Sequence, residues 1–290
     1  MQALVHGTVS SLTMLTPSLR LSRVTIPPTL NKITRRGISS KVPTHLVFGA
    51  NTDVGKTVIT AGLVQSSAVA SSSTSSAVHY IKPLQCGGSD QSFVESHLIN
   101  VAKTPAASKV TTHTLFSWET PASPHVASRI EGLPVSDRQV LKALESCLDE
   151  INNTTKGTSD GSNADSIWIE TAGGVLSPSA ASPDNKDSHH ACGIVASDDE
   201  SLSWGWATQA DLYRPLQSNI PVVLVGDGRL GGISATLSSL ESLILRGYEI
   251  SGLIILETED FKDNAPAIRE YANRCVSFDL DLRAVVYNRP

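Results

Sequence analysis

Nine residues, Gly49-Ala50-Asn51-Thr52-Asp53-Val54-Gly55-Lys56-Thr57, set narrow limits on what this chain can fold into. The apolar run His45-Leu46-Val47-Phe48 before them is of strand type. The run Val58-Ile59-Thr60-Ala61-Gly62-Leu63-Val64 after them can continue as a helix. Strand, glycine loop, Gly-Lys-Thr and helix is the context of a phosphate-binding P-loop. Its backbone N–H groups can turn inward around phosphate oxygens, and the helix adds the positive end of its dipole. In that reading Lys56 reaches the outer phosphates and the Thr57 hydroxyl ligates Mg²⁺. Five residues separate Gly49 from Gly55, one more than the common spacing, and Ala50 holds the usual first-glycine position. The alternative is a glycine turn that binds nothing, and Lys-Thr directly after the second glycine argues against it. A P-loop does not by itself choose between kinase, synthetase and switch.

The 290 residues suffice for one α/β domain with additions. Charge is unevenly placed. Residues 1–42 hold six of the 23 basic residues and none of the 28 acidic ones, leaving 17 against 28 thereafter. That segment is also rich in Ser and Thr and lacks the compact apolar core of a secretory signal. Its composition is that of an organelle transit peptide, expected to lie outside the folded domain of residues 43–290. A tail with no address is the alternative, and composition does not separate mitochondrion from plastid. The acidic remainder has no long basic block, which argues against nucleic acid as a partner. No apolar run reaches the length of a membrane span. Cys86, Cys147, Cys192 and Cys275 are scattered with no Cys-x-x-Cys pair, against a disulfide framework and in keeping with a reducing compartment.

Five short apolar segments read as buried strands: His45–Phe48, Val78–Ile81, Ile167–Ile169, Pro221–Val225 and Ile250–Leu256. Helical patterns such as Val140–Ile151 and Ala235–Arg246 fill the intervals. This alternation predicts an α/β, P-loop NTPase-like three-layer fold, a mostly parallel sheet flanked by helices. Ser66–Ser76, Asn152–Asp165 and Ser177–Ser203 read as surface loops.

Ligands of open parallel sheets gather beyond the carboxyl ends of the strands. Lys82 closes the second strand, and Pro83 biases it toward an extended conformation. Its ammonium would then stand beside the P-loop, with Asp90, past a glycine turn, returning as a metal ligand. On spacing alone Lys82 is equally a solvated strand end, and Asp90 a loop carboxylate. Glu170 closes the strand Ile167–Ile169 and is a natural Mg²⁺ partner in a P-loop protein, an ordinary turn exit being the alternative. Gly173 and Gly174 would let backbone approach a ligand closely. His189-His190-Ala191-Cys192 lacks a second ligand pair of metal-site spacing.

The ordered set Gly49–Thr57, Lys82-Pro83-x-x-x-Gly87, Ser123-Pro124-His125 and Glu170-x-Ala172-Gly173-Gly174 resembles dethiobiotin synthetase. The resemblance spans about residues 44–257. Gln209-Ala210-Asp211-Leu212-Tyr213-Arg214-Pro215 and Val225-Gly226-Asp227-Gly228-Arg229-Leu230-Gly231-Gly232-Ile233-Ser234 look like the plant type. There the domain is typically the N-terminal half of a mitochondrial protein whose other half is a diaminopelargonate aminotransferase. The resemblance implies a ligase that forms C–N bonds, closing a cyclic urea from 7,8-diaminopelargonate, CO₂ and ATP with Mg²⁺. It also implies a homodimer. Asp53, Val54, Gly55, Lys56, Thr57, Val58, Asp90, Glu170, Thr171, Ala172 and Gly173 would contact ATP. Thr57, Asp90 and Glu170 would hold Mg²⁺, and Lys56 and Lys82 would be catalytic. Substrate contacts would fall on Thr52 and Cys86.

The match has departures. Cys86 stands where bacterial relatives offer a hydroxyl, and Asp53 where many have Glu. Leu256-Glu257 stand near the place where relatives often read adenine with Asn. Phe261–Pro290 matches poorly, with a final strand expected to begin at Arg274–Phe278, and a truncated bifunctional chain or an altered gene model would each account for the abrupt end. Competing readings are a cobalamin-type amidoligase, a ParA- or MinD-like switch ATPase, and an inactive domain. The amidoligase lacks its glutaminase Cys and His here. The switch lacks its early loop lysine, replaced by Ala50 and Asn51.

Overall fold

The structure is a computed structural model in which residues 38, 40–70, 76–101, 110–154, 165–180, 207–217, 220–257, 262–275 and 282–286 are described. The transit segment, apart from its last few residues, and the His189–Cys192 cluster lie outside these residues. The unit Arg36–Pro290 is compact. Seven strands, β1 (Thr44–Gly49), β2 (Val78–Cys86), β3 (Val110–Trp118), β4 (Ser166–Glu170), β5 (Val222–Gly226), β6 (Ile250–Glu257) and β7 (Leu282–Val286), form one sheet in the order β3-β2-β4-β1-β5-β6-β7. Every neighbouring pair is parallel. The helices are α1 (Lys56–Ala70), α2 (Asp90–Val101), α3 (Pro124–Ile130), α4 (Asp137–Thr154), α5 (Gln209–Leu212), α6 (Gly232–Leu245) and α7 (Asn264–Cys275).

Strands covered on both faces need apolar side chains on both, and alternation sorts them. Leu46 and Phe48 of β1, Ile167 and Ile169 of β4, and Val222 and Leu224 of β5 join one core cluster with α4 and α6. Val47, Trp168, Val223 and Val225 point the other way, into a second cluster with Ile59 and Val64 of α1 and Val94 of α2. Buried Val140, Leu144, Leu148 and Ile151 form the core face of α4. Its start is a capping box: Ser136 Oγ accepts the Gln139 N–H, and Gln139 Oε1 accepts the Ser136 N–H.

The fold departs from the sequence pattern in four places. First, β3 was not expected, because as an edge strand it is mostly half-exposed and carries Thr and His rather than an apolar run. Second, Arg274 and Cys275 end α7, and the last strand is β7. Third, α1 continues to Ala70 and α4 to Thr154, into segments expected to be loops. Fourth, β2 runs past Lys82 to Cys86, through Pro83. Proline is excluded from strands paired on both sides, yet β4 pairs with β2 only from Val78 to Ile81. Beyond Ile81 one side of β2 is open, and Pro83 costs no bond there.

The chain leaves β1 to one side of the sheet and, after β4, resumes at β5 on the other. The crevice beyond the carboxyl ends at that reversal is where such sheets hold ligands. Among the described residues no helix is long and apolar enough to cross a membrane.

Candidate active site at the P-loop

Register and alternation bring the site together. Ile81 of β2 lies opposite Ile169 of β4, so Lys82 and Glu170 are the next pair along. Their even-numbered predecessors Tyr80 and Trp168 face α1, and side chains two residues on share that face. The first turn of α1 carries Thr57. The result is a tight cluster. Lys82 Nζ lies 2.6 Å from Asp90 Oδ2 and 2.9 Å from Glu170 Oε1, and donates to the Thr171 carbonyl at 3.3 Å. Thr57 Oγ1 donates to Glu170 Oε1 at 2.9 Å, and the Tyr80 hydroxyl to Glu170 Oε2 at 3.2 Å. The Glu170 side chain is wholly buried, Lys82 is 5 % exposed and Asp90 29 %.

Burial alone would lower the Lys82 pKa, but Glu170 and then Asp90 outweigh it and hold the ammonium above its ordinary range. Burial, reinforced by Glu170 and Asp90, pushes the Tyr80 phenol up, so it remains a donor.

The loop Ala50–Gly55 rests on backbone choices that its residues permit. Gly55 has φ 85° and Asp53 φ 57°, both left-handed. A Cβ on Gly49 would come within 3.0 Å of Lys56 Nζ, so this glycine lets Lys56 fold back over the loop. There Lys56 Nζ donates to the Gly173 carbonyl at 2.7 Å. Burial, then repulsion from Lys82, lowers its pKa from 10.5 to about 8 against the pull of Glu170, Asp90 and Asp53. A Cβ on Gly174 would stand 3.3 Å from Ala50 O and Asn51 Cα, which accounts for the close glycine turn after β4. Arg229 braces the loop from outside, its Nη2 donating to the Thr52 carbonyl at 3.0 Å and to Asp227 Oδ2 at 2.8 Å.

A cavity of about 900 Å³ opens over the cluster, within the range of small-molecule sites. Its floor is the P-loop with Lys82 and Glu170. Its far wall is Pro121, Ala122, Ser123 and Pro124. Two carboxylates and the Thr171 carbonyl converge on the Lys82 ammonium, and the Thr57 hydroxyl bonds Glu170 beside them, so hard oxygens are already arranged around a positive charge. Among the described residues no three His, Cys, Asp or Glu side chains gather as a self-sufficient metal site. The donor set fits a Mg²⁺ ion that keeps waters and phosphate oxygens as its other ligands, as Mg²⁺ prefers.

Comparison with known proteins bears on this geometry. An AAA domain family profile matches residues 44–185. ATP-dependent dethiobiotin synthetase BioD of Neorickettsia sennetsu is 31% identical over 250 residues, 78% of this chain and 82% of the relative. The chain belongs to the dethiobiotin synthetase family. The bifunctional dethiobiotin synthetase/7,8-diamino-pelargonic acid aminotransferase, mitochondrial, of Oryza sativa subsp. japonica is 35% identical over 263 residues, 74% of this chain. The chain spans 28% of that relative's length. Among solved structures, a ParA family ATPase from Chlorobium tepidum TLS aligns over 85% of each chain with a TM-score of 0.42 and 10% identity.

Most residues that the dethiobiotin synthetase resemblance singled out line the cavity: Thr52, Asp53, Gly55, Lys56, Thr57, Val58, Lys82, Cys86, Asp90, Glu170, Ala172 and Gly173. Val54 and Thr171 do not. Val54 is buried in the core. Thr171 turns inward, its N–H and hydroxyl both donating to the Val47 carbonyl at 3.0 and 3.1 Å. Burial pushes the Cys86 thiol up to about 11, against the pull of Lys82. His125 stays off the cavity wall, its Nδ1 3.0 Å from Ser123 Oγ. Sequence reasoning missed Tyr80, Gln85 and the Asp227–Arg229 brace. Tyr80 had a usable signal, since it lies two residues before Lys82 on the same strand face.

Proposed function

We propose that this chain closes the ureido ring of dethiobiotin from 7,8-diaminopelargonate, CO₂ and ATP, as a ligase forming C–N bonds. Family membership supports the reading, and the observation that carries it is Lys82 held between Asp90 and Glu170 beside a P-loop. One substrate amine adds to CO₂, losing a proton, to give a carbamate. A carbamate oxygen attacks the γ-phosphorus and ADP departs, leaving a carbamic–phosphoric anhydride. The second amine attacks the carbamate carbon, and phosphate leaves with the oxygen it received.

The protein's part is positioning and neutralisation of charge. The loop residues Asp53–Val58 and the N-terminal end of α1 hold the phosphates. Lys56 leaves the Gly173 carbonyl for the outer phosphates, and Lys82 steadies the charge on the carbamate and the moving phosphoryl group. Thr57, Asp90 and Glu170 would hold Mg²⁺, which supplies charge neutralisation across the phosphate oxygens when bound. Thr52 and Cys86 line the substrate side of the cavity. A thiol that stays protonated gives Cys86 a weak donor where a hydroxyl would give a strong one.

A mitochondrial location, a homodimer, and a diaminopelargonate aminotransferase fused or acting alongside belong to the same proposal. The name of the Oryza sativa relative supports the first and the last. The test is phosphate release from ATP. It should require 7,8-diaminopelargonate and bicarbonate together. ATP turnover indifferent to the diamine would replace this reading with a switch ATPase. ATP binding without turnover would mean an inactive domain.

A further inference from the structure

Gln85 is buried to 5 % exposure beneath the turn that joins β2 to α2. Its amide makes two complementary bonds across that turn. Nε2 donates to the Gly87 carbonyl at 2.8 Å, and Oε1 accepts the Asp90 N–H at 3.2 Å. Between those contacts Gly87 and Gly88 take left-handed φ of 60° and 57°. A chain in that conformation has no side-chain packing of its own to fix it. A Cβ on Gly87 would lie 2.7 Å from Pro121 Cα, so Pro121 closes the turn from the other side. Asp90 leaves this clamp as the first residue of α2, and its carboxylate reaches Lys82 at 2.6 Å.

We infer that Gln85 is a positioning residue that sets the Asp90 carboxylate over the metal–phosphate position. The inference rests on the proposed nucleotide reading of the site. The amide is chemically specific here. Only a side chain with one donor and one acceptor satisfies a carbonyl and an N–H together. Glutamate at position 85 would keep the Asp90 N–H bond but set oxygen against the Gly87 carbonyl and a second negative charge beside Asp90. Methionine would fill the space and make neither bond. Residues that orient ligating carboxylates typically change metal affinity by about 10- to 100-fold when replaced.

The test measures binding, not turnover. A non-hydrolysable ATP analogue is titrated into the full chain by calorimetry, with Mg²⁺ and with EDTA. The ratio of the two Kd values is the coupling between metal and nucleotide. Gln85→Met and Gln85→Glu should each lower that ratio about tenfold while the Kd in EDTA stays within about twofold of wild type. In an Asp90→Asn background, Gln85→Met should change the ratio no further, because the group through which Gln85 acts is already disabled. If Gln85→Met fails to fold, Gln85→Glu, which keeps shape and one bond, carries the comparison. An unchanged ratio, an equal loss in the Asp90→Asn background, or an equal loss in EDTA would overturn the inference. A wild-type chain that binds no nucleotide overturns the proposed function, and this inference with it.

Discussion

The Lys82→Met variant tests the electrostatic arrangement at its centre. Methionine keeps most of the volume and removes the charge and all three donated contacts. Wild-type Lys82 spans Asp90 Oδ2 at 2.6 Å, Glu170 Oε1 at 2.9 Å and the Thr171 carbonyl at 3.3 Å. Glu170 then keeps only the Thr57 and Tyr80 hydroxyls, in a place with no solvent exposure. Removing one partner of a buried pair costs about 3–5 kcal/mol, because an uncompensated charge is left inside. Asp90 is 29 % exposed and can regain water, so the lower end, about 3 kcal/mol, applies. For a domain of this size that lowers Tm by about 6–12 °C.

A divalent cation can stand where the ammonium stood, facing the same two carboxylates and the Thr171 carbonyl. Mg²⁺ without nucleotide should therefore raise the Tm of Lys82→Met while leaving wild type nearly unmoved, since a ligand stabilises the state that binds it. Thermal melts followed by circular dichroism, in EDTA and in millimolar Mg²⁺, give both numbers. The pH window follows from the raised Lys82 pKa. Its contribution is complete below the ordinary lysine range and is lost only as pH rises through the raised value. The difference between variant and wild type should thus be flat from neutral pH to pH ~9. A variant within about 2 °C of wild type, or Mg²⁺ moving both proteins alike, would refute the arrangement.

Two further outcomes follow from the P-loop. Lys56, held at about 8 by burial and Lys82, is roughly half charged at pH ~8, and a triphosphate anion favours its charged form. Nucleotide binding near that pH should take up about half a proton, measurable by calorimetry in buffers of different ionisation enthalpy, and Lys56→Arg should abolish the uptake. The same lowered pKa costs the ligand-free protein about 3 kcal/mol below pH 8, a cost that disappears as pH rises toward 10.5. Gly55→Ala would place a Cβ 2.3 Å from Leu256 Cδ1 at φ 85°, and should cost about 2–3 kcal/mol in denaturant melts, of which about 1–2 is the left-handed backbone. Leu256→Ala should relieve the remainder, so the double variant should be about 1 kcal/mol better than the sum of the singles. Additive losses would show that the close contact carries no energy.

What could be read from the sequence follows from how local each signal is. The P-loop is contiguous, so strand, glycines, Lys56 and Thr57 stand beside one another in the chain. The five central strands are equally plain, because burial on both faces leaves no room for polar alternation. β3 was invisible for the opposite reason: its outer edge meets solvent, and Thr111, Thr112, His113 and Thr114 satisfy that exposure. Glu170 and Lys82 were legible as polar closures of apolar strands. Thr171 looked like part of the same signal, but one residue further along the strand end reverses the side-chain direction, and its hydroxyl goes to the Val47 carbonyl. Gln85 had no signal of its own, since its partners are two backbone groups whose positions exist only once the turn has closed.

Pro83 links the two kinds of information. In the sequence it only biases Lys82, the expected strand end, toward an extended conformation, and in the structure it lies within β2. Its missing N–H falls just past the end of the pairing with β4, which stops at Ile81 opposite Ile169. The Lys82 and Glu170 side chains face the cavity because each follows Tyr80 or Trp168 by two residues on the same strand face, while β3 alone carries β2 on to Gln85 and Cys86. The strand can then reach the turn that returns Asp90 to the same ammonium. Because β4 ends at Glu170, that side of β2 is open beyond Ile81, a residue without a donor is tolerated there, and the strand runs on to the turn that delivers the second carboxylate.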